Sequence, residues 1–283
     1  MNNIQSMVKN FSAKWLVFTD LDGTLLDRRY DLEAAAAAMD SLHDLGCICI
    51  PASSKTYDEM VALNKFRKFP SPCIFENGAG LFWPSSAEPE SLGRCANEIH
   101  DLLDHIRDEH RFGFRTFRDI GCDELCEITG LDHSGAVAAK ARTGSMPLLW
   151  EDSEQAQDTF HEILGFIGLQ IVRGGLFHTV LDKSCSKAVG MKTIVAHFQR
   201  GEHRPSLVAC GDAENDLNML RCADFALIFP GSDGQYLSLD HKFLHRAKAS
   251  GHEAWCEALH QILVLEEHKT GTSMPKTETQ SFE

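Results

Sequence analysis

The sequence predicts an α/β protein: a doubly wound parallel sheet into which a second, α+β domain is inserted. Three observations carry this expectation. Short apolar runs rich in β-branched, aromatic and cysteine residues recur at 15–18, 47–51, 72–75, 206–210 and 225–229, the pattern of strands buried on both faces. Stretches of helical length join them through short connections, which makes consecutive strands parallel. The rhythm stops after Trp83 and resumes near residue 182.

Composition narrows the function classes. A chain of 283 residues, 43% hydrophobic and 24% charged, has the balance of an ordinary globular protein and enough length for a sizeable core. No apolar run approaches the length of a membrane span. Residues 1–14 lack the apolar segment of a secretory signal, so a cytoplasmic location is expected. Ten cysteines are scattered, mostly within apolar runs (Cys47, Cys49, Cys73, Cys210), and read as small buried hydrophobes in a reducing compartment. Cys122 and Cys126 are four apart but lack a His/Cys partner pair at zinc spacing. The net charge of −14 argues against nucleic acid and anionic membranes as partners. A small anionic substrate would need a local cluster of cations.

Taken in order, the first strand ends in Asp20 and Asp22, spaced so that both side chains lie on one face of an extended backbone. Gly23 lets the chain turn tightly. Two acids this close repel unless a cation sits between them, and hard oxygen ligands suit Mg²⁺. A calcium loop of the EF-hand type is excluded by Thr24 and Leu25, where Asp or Asn and then Gly are required. Residues 31–45 read as an Ala-rich helix from an Asp31 cap to Gly46. The second strand ends in Ser53, Ser54 and Lys55 ahead of a helix over 57–69, either an anion cradle or an ordinary Ser/Thr cap. The third strand runs into a turn at Glu76-Asn77-Gly78. All three strand ends lie where ligands bind in such sheets.

Residues 84–89 read as a linker and 84–181 as the inserted α+β domain. Helices are expected at 92–110, 132–142 and 153–167, an aromatic strand at 112–119, and further strands at 170–172 and 176–181. This segment supplies Arg115, Arg118, Arg142, Arg173 and His178, any of which could meet an anion. A helix over 186–199 then carries Lys187 in its first turn, against the macrodipole. A phosphate and an ionised Asp within reach would explain that placement. The strand at 206–210 ends in Gly211-Asp212-Ala213-Glu214-Asn215-Asp216. Two acidic strand ends in one parallel sheet are costly to bury together without a cation. The core is thus expected at 1–83 and 182–267, with 268–283, polar and aperiodic, a disordered tail.

Asp20-x-Asp22-Gly-Thr24, a Ser at the second strand end, Lys187 before Ala188, and Gly211-Asp212-x-x-Asn215-Asp216 resemble the four motifs of the haloacid dehalogenase (HAD) superfamily. They stand in that family's order over roughly residues 15–230, with the insertion where a type-II cap lies. Ser53-Ser-Lys-Thr56, Glu76-Asn-Gly-Ala79, Ile128-Thr-Gly-Leu131 and Gly174-Gly-Leu-Phe-His178 resemble the mannosyl-3-phosphoglycerate phosphatases within it. The chain departs from their pattern at Arg142-Thr143-Gly-Ser145-Met146-Pro147, where Arg-Glu precedes Ser-Glu-Pro, and at Leu176, where Arg is usual. Ser-Cys-Ser stands between Lys183 and Lys187, either of which could be the motif lysine.

The resemblance implies a Mg²⁺-dependent phosphatase releasing mannosylglycerate, a compatible solute. Asp20 would be the nucleophile that forms an aspartyl-phosphate, and Asp22 the general acid and base. Asp20, Asp22 through its backbone carbonyl, and Asp212 would hold the metal, supported by Asp216 and Asn215. Ser53, the neighbouring amide and Lys187 would bind the phosphoryl group, and Ser54, Lys55, Asn77, Arg142, Arg173 and His178 are the further candidates for substrate contact. Glucosyl-3-phosphoglycerate, sucrose phosphate, phosphomutase chemistry and a silent sugar-phosphate-binding module are the competing readings.

Overall fold

Along the chain, β1 (Trp15–Thr19) leads through α1 (Leu32–Ser41) to β2 (Cys47–Pro51). Next, α2 (Tyr57–Asn64) leads to β3 (Cys73–Phe75), β4 (Gly80–Phe82) and β5 (Glu90–Ser91). The insertion comprises α3 (Ala96–His110), β6 (Phe114–Thr116), α4 (Cys122–Thr129), α5 (His133–Lys140), β7 (Ser145–Trp150), α6 (Glu154–Phe166), β8 (Leu169–Gly174) and β9 (Phe177–Asp182). The chain closes with α7 (Lys187–Phe198), β10 (Ser206–Gly211), α8 (Leu217–Cys222), β11 (Phe225–Ile228), β12 (Leu244–Arg246) and α9 (His252–Thr270). The structure is a computed structural model that describes residues 13–174, 177–199 and 204–270.

Five strands form one parallel sheet in the order β12-β11-β10-β1-β2. Because side chains alternate across a strand, β1 feeds two cores at once. Trp15 and Val17 join the cluster under α1 and α9, while Leu16 and Phe18 join the cluster containing Met191 and Ile194 of α7. Helices on both faces make this an α/β fold of the kind the sequence predicts. Local chemistry starts each helix: Asp31 accepts from the Ala34 amide at α1, Thr56 and Glu59 form a capping box at α2, and Ser186 accepts from Val189 at α7.

The insertion has its own antiparallel sheet, β6-β7-β9-β8. A separate apolar cluster joins that sheet to α3, α4, α5 and α6 through Ile99, Leu125, Ala139, Phe160 and Val180. No helix among the described residues is long and apolar enough to cross a membrane.

Several expectations need correcting. The run at 72–75 does not become a third strand of the parallel sheet. It starts an antiparallel unit, β3-β4-β5, linked to the end of β2 by one parallel bridge, Ala52 to Ile74. The helix expected over 57–69 ends at Asn64. There the buried Arg67, paired with Asp40 at 2.9 Å and donating to the Phe69 carbonyl, pulls the chain into a turn. Helices α4 and α9 and strands β4, β5, β7 and β12 have no counterpart among the sequence expectations. Residues 268–270 belong to α9 rather than to a tail. Residues 271–283 and Leu176 lie outside the described residues.

Candidate active site

Strands β1 and β10 are neighbours in register, Thr19 opposite Cys210, and their chains separate at the carboxyl ends. β1 continues to β2 on one side and β10 to β11 on the other, so this is the point where strand order reverses. The Asp20 amide donates to the Cys210 carbonyl at 2.9 Å, which sets the two acidic loops side by side. Gly23 stands at φ +80°, and a Cβ there would fall 2.5 Å from Asp212 Oδ2. Only glycine permits this approach. Thr24 Oγ1 then donates to Asp212 Oδ1 at 3.1 Å.

Lys187 enters from the first turn of α7. It is 1% exposed, and its Nζ donates to Asp20 Oδ1 at 2.8 Å and to Asp216 Oδ1 at 2.7 Å. The other oxygen of Asp216 accepts the amides of Asp212 (3.1 Å) and Ala213 (3.2 Å), so this fully buried carboxylate shapes the loop that carries Asp212. Lys183 is exposed on the approach to α7. The geometry therefore selects Lys187 as the lysine of this cluster.

Asp20, Asp212 and Asp216 each present a carboxylate oxygen within 4.8 Å of the others. Lys187 pairs with only two of these three carboxylates, and the imbalance perturbs Asp20 and Asp212. Burial pushes Asp20 up to about 8 against the pull of Lys187, with Asp216, Asp212 and Asp22 adding in the same sense. Burial, then the Asp216 charge, raises Asp212 to about 6. Burial alone would lower Lys187, but Asp20 and Asp216 overcome it and hold the ammonium well above its usual range. A compact, all-oxygen donor set with uncompensated negative charge fits a hard divalent cation such as Mg²⁺.

The other sequence candidates divide. The Asp22 carboxylate lies outside the three-carboxylate cluster. It is 47% exposed and pairs with Lys55 Nζ at 3.0 Å. Lys55 also sits over the Tyr30 ring and 3.8 Å from Glu59. Ser53 is fully buried beside them; its Oγ accepts the Lys55 amide at 3.2 Å. Asn77 Oδ1 accepts from Asn215 Nδ2 at 3.0 Å. A cavity of about 310 Å³ adjoins the cluster, walled by Asn77, Lys187 and Asn215 from the core and by His161, Gln170 and Arg173 from the insertion.

Arg173 thus reaches the site from β8. His178 stands opposite it on β9 but is not in the cavity wall. Burial, then Arg173, lowers His178, and the same two causes lower His161. Arg142 is committed elsewhere: it donates to the carbonyls of Ala139 and Ser54, both at 2.8 Å, and tethers the insertion to the core. Its guanidinium is therefore engaged by backbone, and so is the carbonyl of Ser54. Arg115 is held between Glu124 and Glu151, and Arg118 donates to Asn97. Both pairings are internal to the insertion.

The sequence assigns no role to Thr24 or His161, and it marks Glu76 only as standing with Asn77 at a strand end. Thr24 stands inside the quoted motif. Glu76 is buried and accepts from the amide and Oγ1 of Thr143, the Gly144 amide and Ser145 Oγ. Its position in a turn gives no sign of partners so distant in sequence. His161 is one polar residue on an amphipathic helix, and only the packing of α6 against β8 brings it to the cavity.

No family model matches the chain. Solved structures resemble its fold over most of their length. Thermoplasma acidophilum 0175 is 16% identical, with 88% of this chain and 98% of that chain covered and a TM-score of 0.65. BT1666 from Bacteroides thetaiotaomicron, described among phosphatases of the haloalkanoate (HAD) enzyme superfamily, is 16% identical, with 94% and 98% covered and a TM-score of 0.62. BT4131, described as a HAD subclass IIB sugar phosphatase, is 15% identical, with 91% and 99% covered and a TM-score of 0.58. At these identities the likeness is one of fold.

Proposed function

We propose that this chain is a Mg²⁺-dependent phosphomonoesterase of the HAD type, acting on a sugar-phosphoglycerate, with mannosyl-3-phosphoglycerate the first candidate. Residues 1–83 and 182–267 would form its catalytic core and 84–181 its cap. The observation that carries the reading is buried Lys187 bridging Asp20 and Asp216, with Asp212 beside them. Motif order in the sequence and the phosphatases among its fold neighbours support it.

In this reading an Asp20 carboxylate oxygen bonds to phosphorus, and the ester oxygen, that of the glycerate in the first candidate, leaves with a proton from Asp22. Water then attacks the aspartyl-phosphate, its proton passes to Asp22, and Asp20 and inorganic phosphate are released. Asp22 is the one acid of the group whose side chain faces out of the buried cluster, and to carry that proton it would release its ion pair with Lys55. Lys187 and Ser53 would hold the phosphoryl oxygens, with Asn77 and Asn215 on the cavity wall. Asp20 and Asp212, backed by Asp216, would hold Mg²⁺, which when bound supplies the positive charge that lets an anionic nucleophile meet an anionic ester. Arg173 and His161 would face the remainder of the substrate from the insertion.

The test is phosphate release from mannosyl-3-phosphoglycerate, glucosyl-3-phosphoglycerate, sucrose phosphate and other sugar phosphates, with Mg²⁺ and with EDTA. Mg²⁺-dependent preference for the mannosyl compound is expected. Release from the others but not from it would keep the phosphatase and replace the substrate. No release from any ester would leave a binding module, which the Asp20→Asn variant would then match in ligand affinity.

A further inference from the structure

The turn Glu76-Asn77-Gly78 touches three parts of the molecule that the proposed chemistry needs in fixed relation. All three residues have positive φ, at 48°, 57° and 93°. Glutamate and asparagine rarely adopt such backbone, and consecutive examples persist only where their surroundings hold them. Glu76 reaches the α5–β7 loop of the insertion and the first residue of β7, where its two oxygens accept four hydrogen bonds of 2.6–3.0 Å from Thr143, Gly144 and Ser145. Asn77 reaches the other way and accepts from Asn215, within the loop between Asp212 and Asp216. Gly78 packs beneath the start of α7: a Cβ there would fall 2.1 Å from the Ser186 carbonyl oxygen. One contiguous turn therefore bears on the insertion, the carboxylate loop and the helix that delivers Lys187.

We propose that Glu76 and Asn77 are positioning residues: the insertion's α5–β7 loop, seated on Glu76, holds this turn in its unusual conformation, and Asn77 thereby fixes the Asp212–Asp216 loop. The core also holds the turn, through the Glu76 and Asn77 amides on the Lys55 and Ser53 carbonyls at 2.8 and 2.9 Å, so without the seat it is anchored on that side only and the Asn77 side chain is free to shift. Asn77 Oδ1 then leaves Asn215, and the amides of Asp212 and Ala213 lose their fixed relation to Asp216. The part of the proposal that concerns turnover rests on the phosphatase reading, and the structural part does not.

Two variants test it. Asn77→Gly removes the side chain but suits the backbone, so its thermal midpoint should equal or exceed that of the parent protein. Its kcat should nevertheless fall about tenfold with KM nearly unchanged. Glu76→Gln replaces one acceptor oxygen with a donor. Amide hydrogen exchange should then quicken about tenfold at Asp212 and Ala213, which Glu76 does not touch, as well as at Thr143 and Gly144, while the interior of α3 exchanges as before. Parental kcat in Asn77→Gly would overturn the proposal, and so would faster exchange in Glu76→Gln confined to Thr143 and Gly144. A raised KM at unchanged kcat would also overturn it, making Asn77 a direct substrate contact. If the parent protein releases phosphate from no ester, the phosphatase reading fails, and the exchange measurement still decides the tie.

Discussion

Asp20 and Asp216 each give one oxygen to the same ammonium, and neither has another cation in the described cluster. Replacing Lys187 with Met would leave buried carboxylates facing one another, a loss that costs about 3–5 kcal/mol when one partner of a buried ion pair is removed. Urea unfolding in EDTA should show that loss, and saturating Mg²⁺ should recover part of it. Asp20→Asn relieves repulsion instead. It should leave the fold intact and, if Asp20 is the nucleophile as proposed, cut phosphate release by roughly 10³-fold or more, with ligand affinity retained in equilibrium dialysis. At Gly23 the constraint is steric. Alanine there would need an unfavourable positive φ and a Cβ against Asp212. We expect roughly 1–2 kcal/mol of destabilisation in thermal unfolding.

At the scale of elements, α9 braces the strand that carries Asp20. Trp255 is fully buried, its Nε1 donates to Thr19 Oγ1 at 2.9 Å, and Thr19 Oγ1 donates to the Asp20 carbonyl at 2.8 Å. Trp255→Phe keeps most of the apolar contact and removes the donor, so about 1–2 kcal/mol should be lost in denaturant unfolding. That brace spans 236 residues of sequence, which no local pattern reveals. Acidic strand ends are different: Asp20 and Asp212 follow apolar runs directly, so both the strands and their cargo were legible. β7 was not, because Pro147 argues against a central strand. In the structure Pro147 lies just beyond the last β6 pair, Thr116 with Leu148, where only its carbonyl is used, by the Phe117 amide. The same limit applies within the site. Charge identifies Arg142 and Arg173 equally well in sequence, yet backbone carbonyls claim the first and the cavity takes the second.

For the molecule as a whole, the raised carboxylates link stability to pH. Asp20 and Asp212 rise from 3.8 to about 8 and about 6 on folding, so between these values the folded chain binds more protons than the unfolded one. Their contribution is present in full below the unfolded value and is lost as pH rises through about 6 and then about 8. The metal-free protein should therefore melt at lower temperature at about pH 8.5 than at about pH 5. Mg²⁺ should flatten that slope, because it favours the ionised forms. The same surplus of carboxylates over ammonium also dictates an order of events. On the proposed reading, a phosphate ester would arrive with negative charge and meet a repulsive field until the divalent cation is seated. Cation and ester would then be linked ligands, each raising the other's affinity by the same factor. The protein would act as a coincidence detector: inorganic phosphate alone leaves the thermal midpoint where it was, and raises it only when the cation is already there.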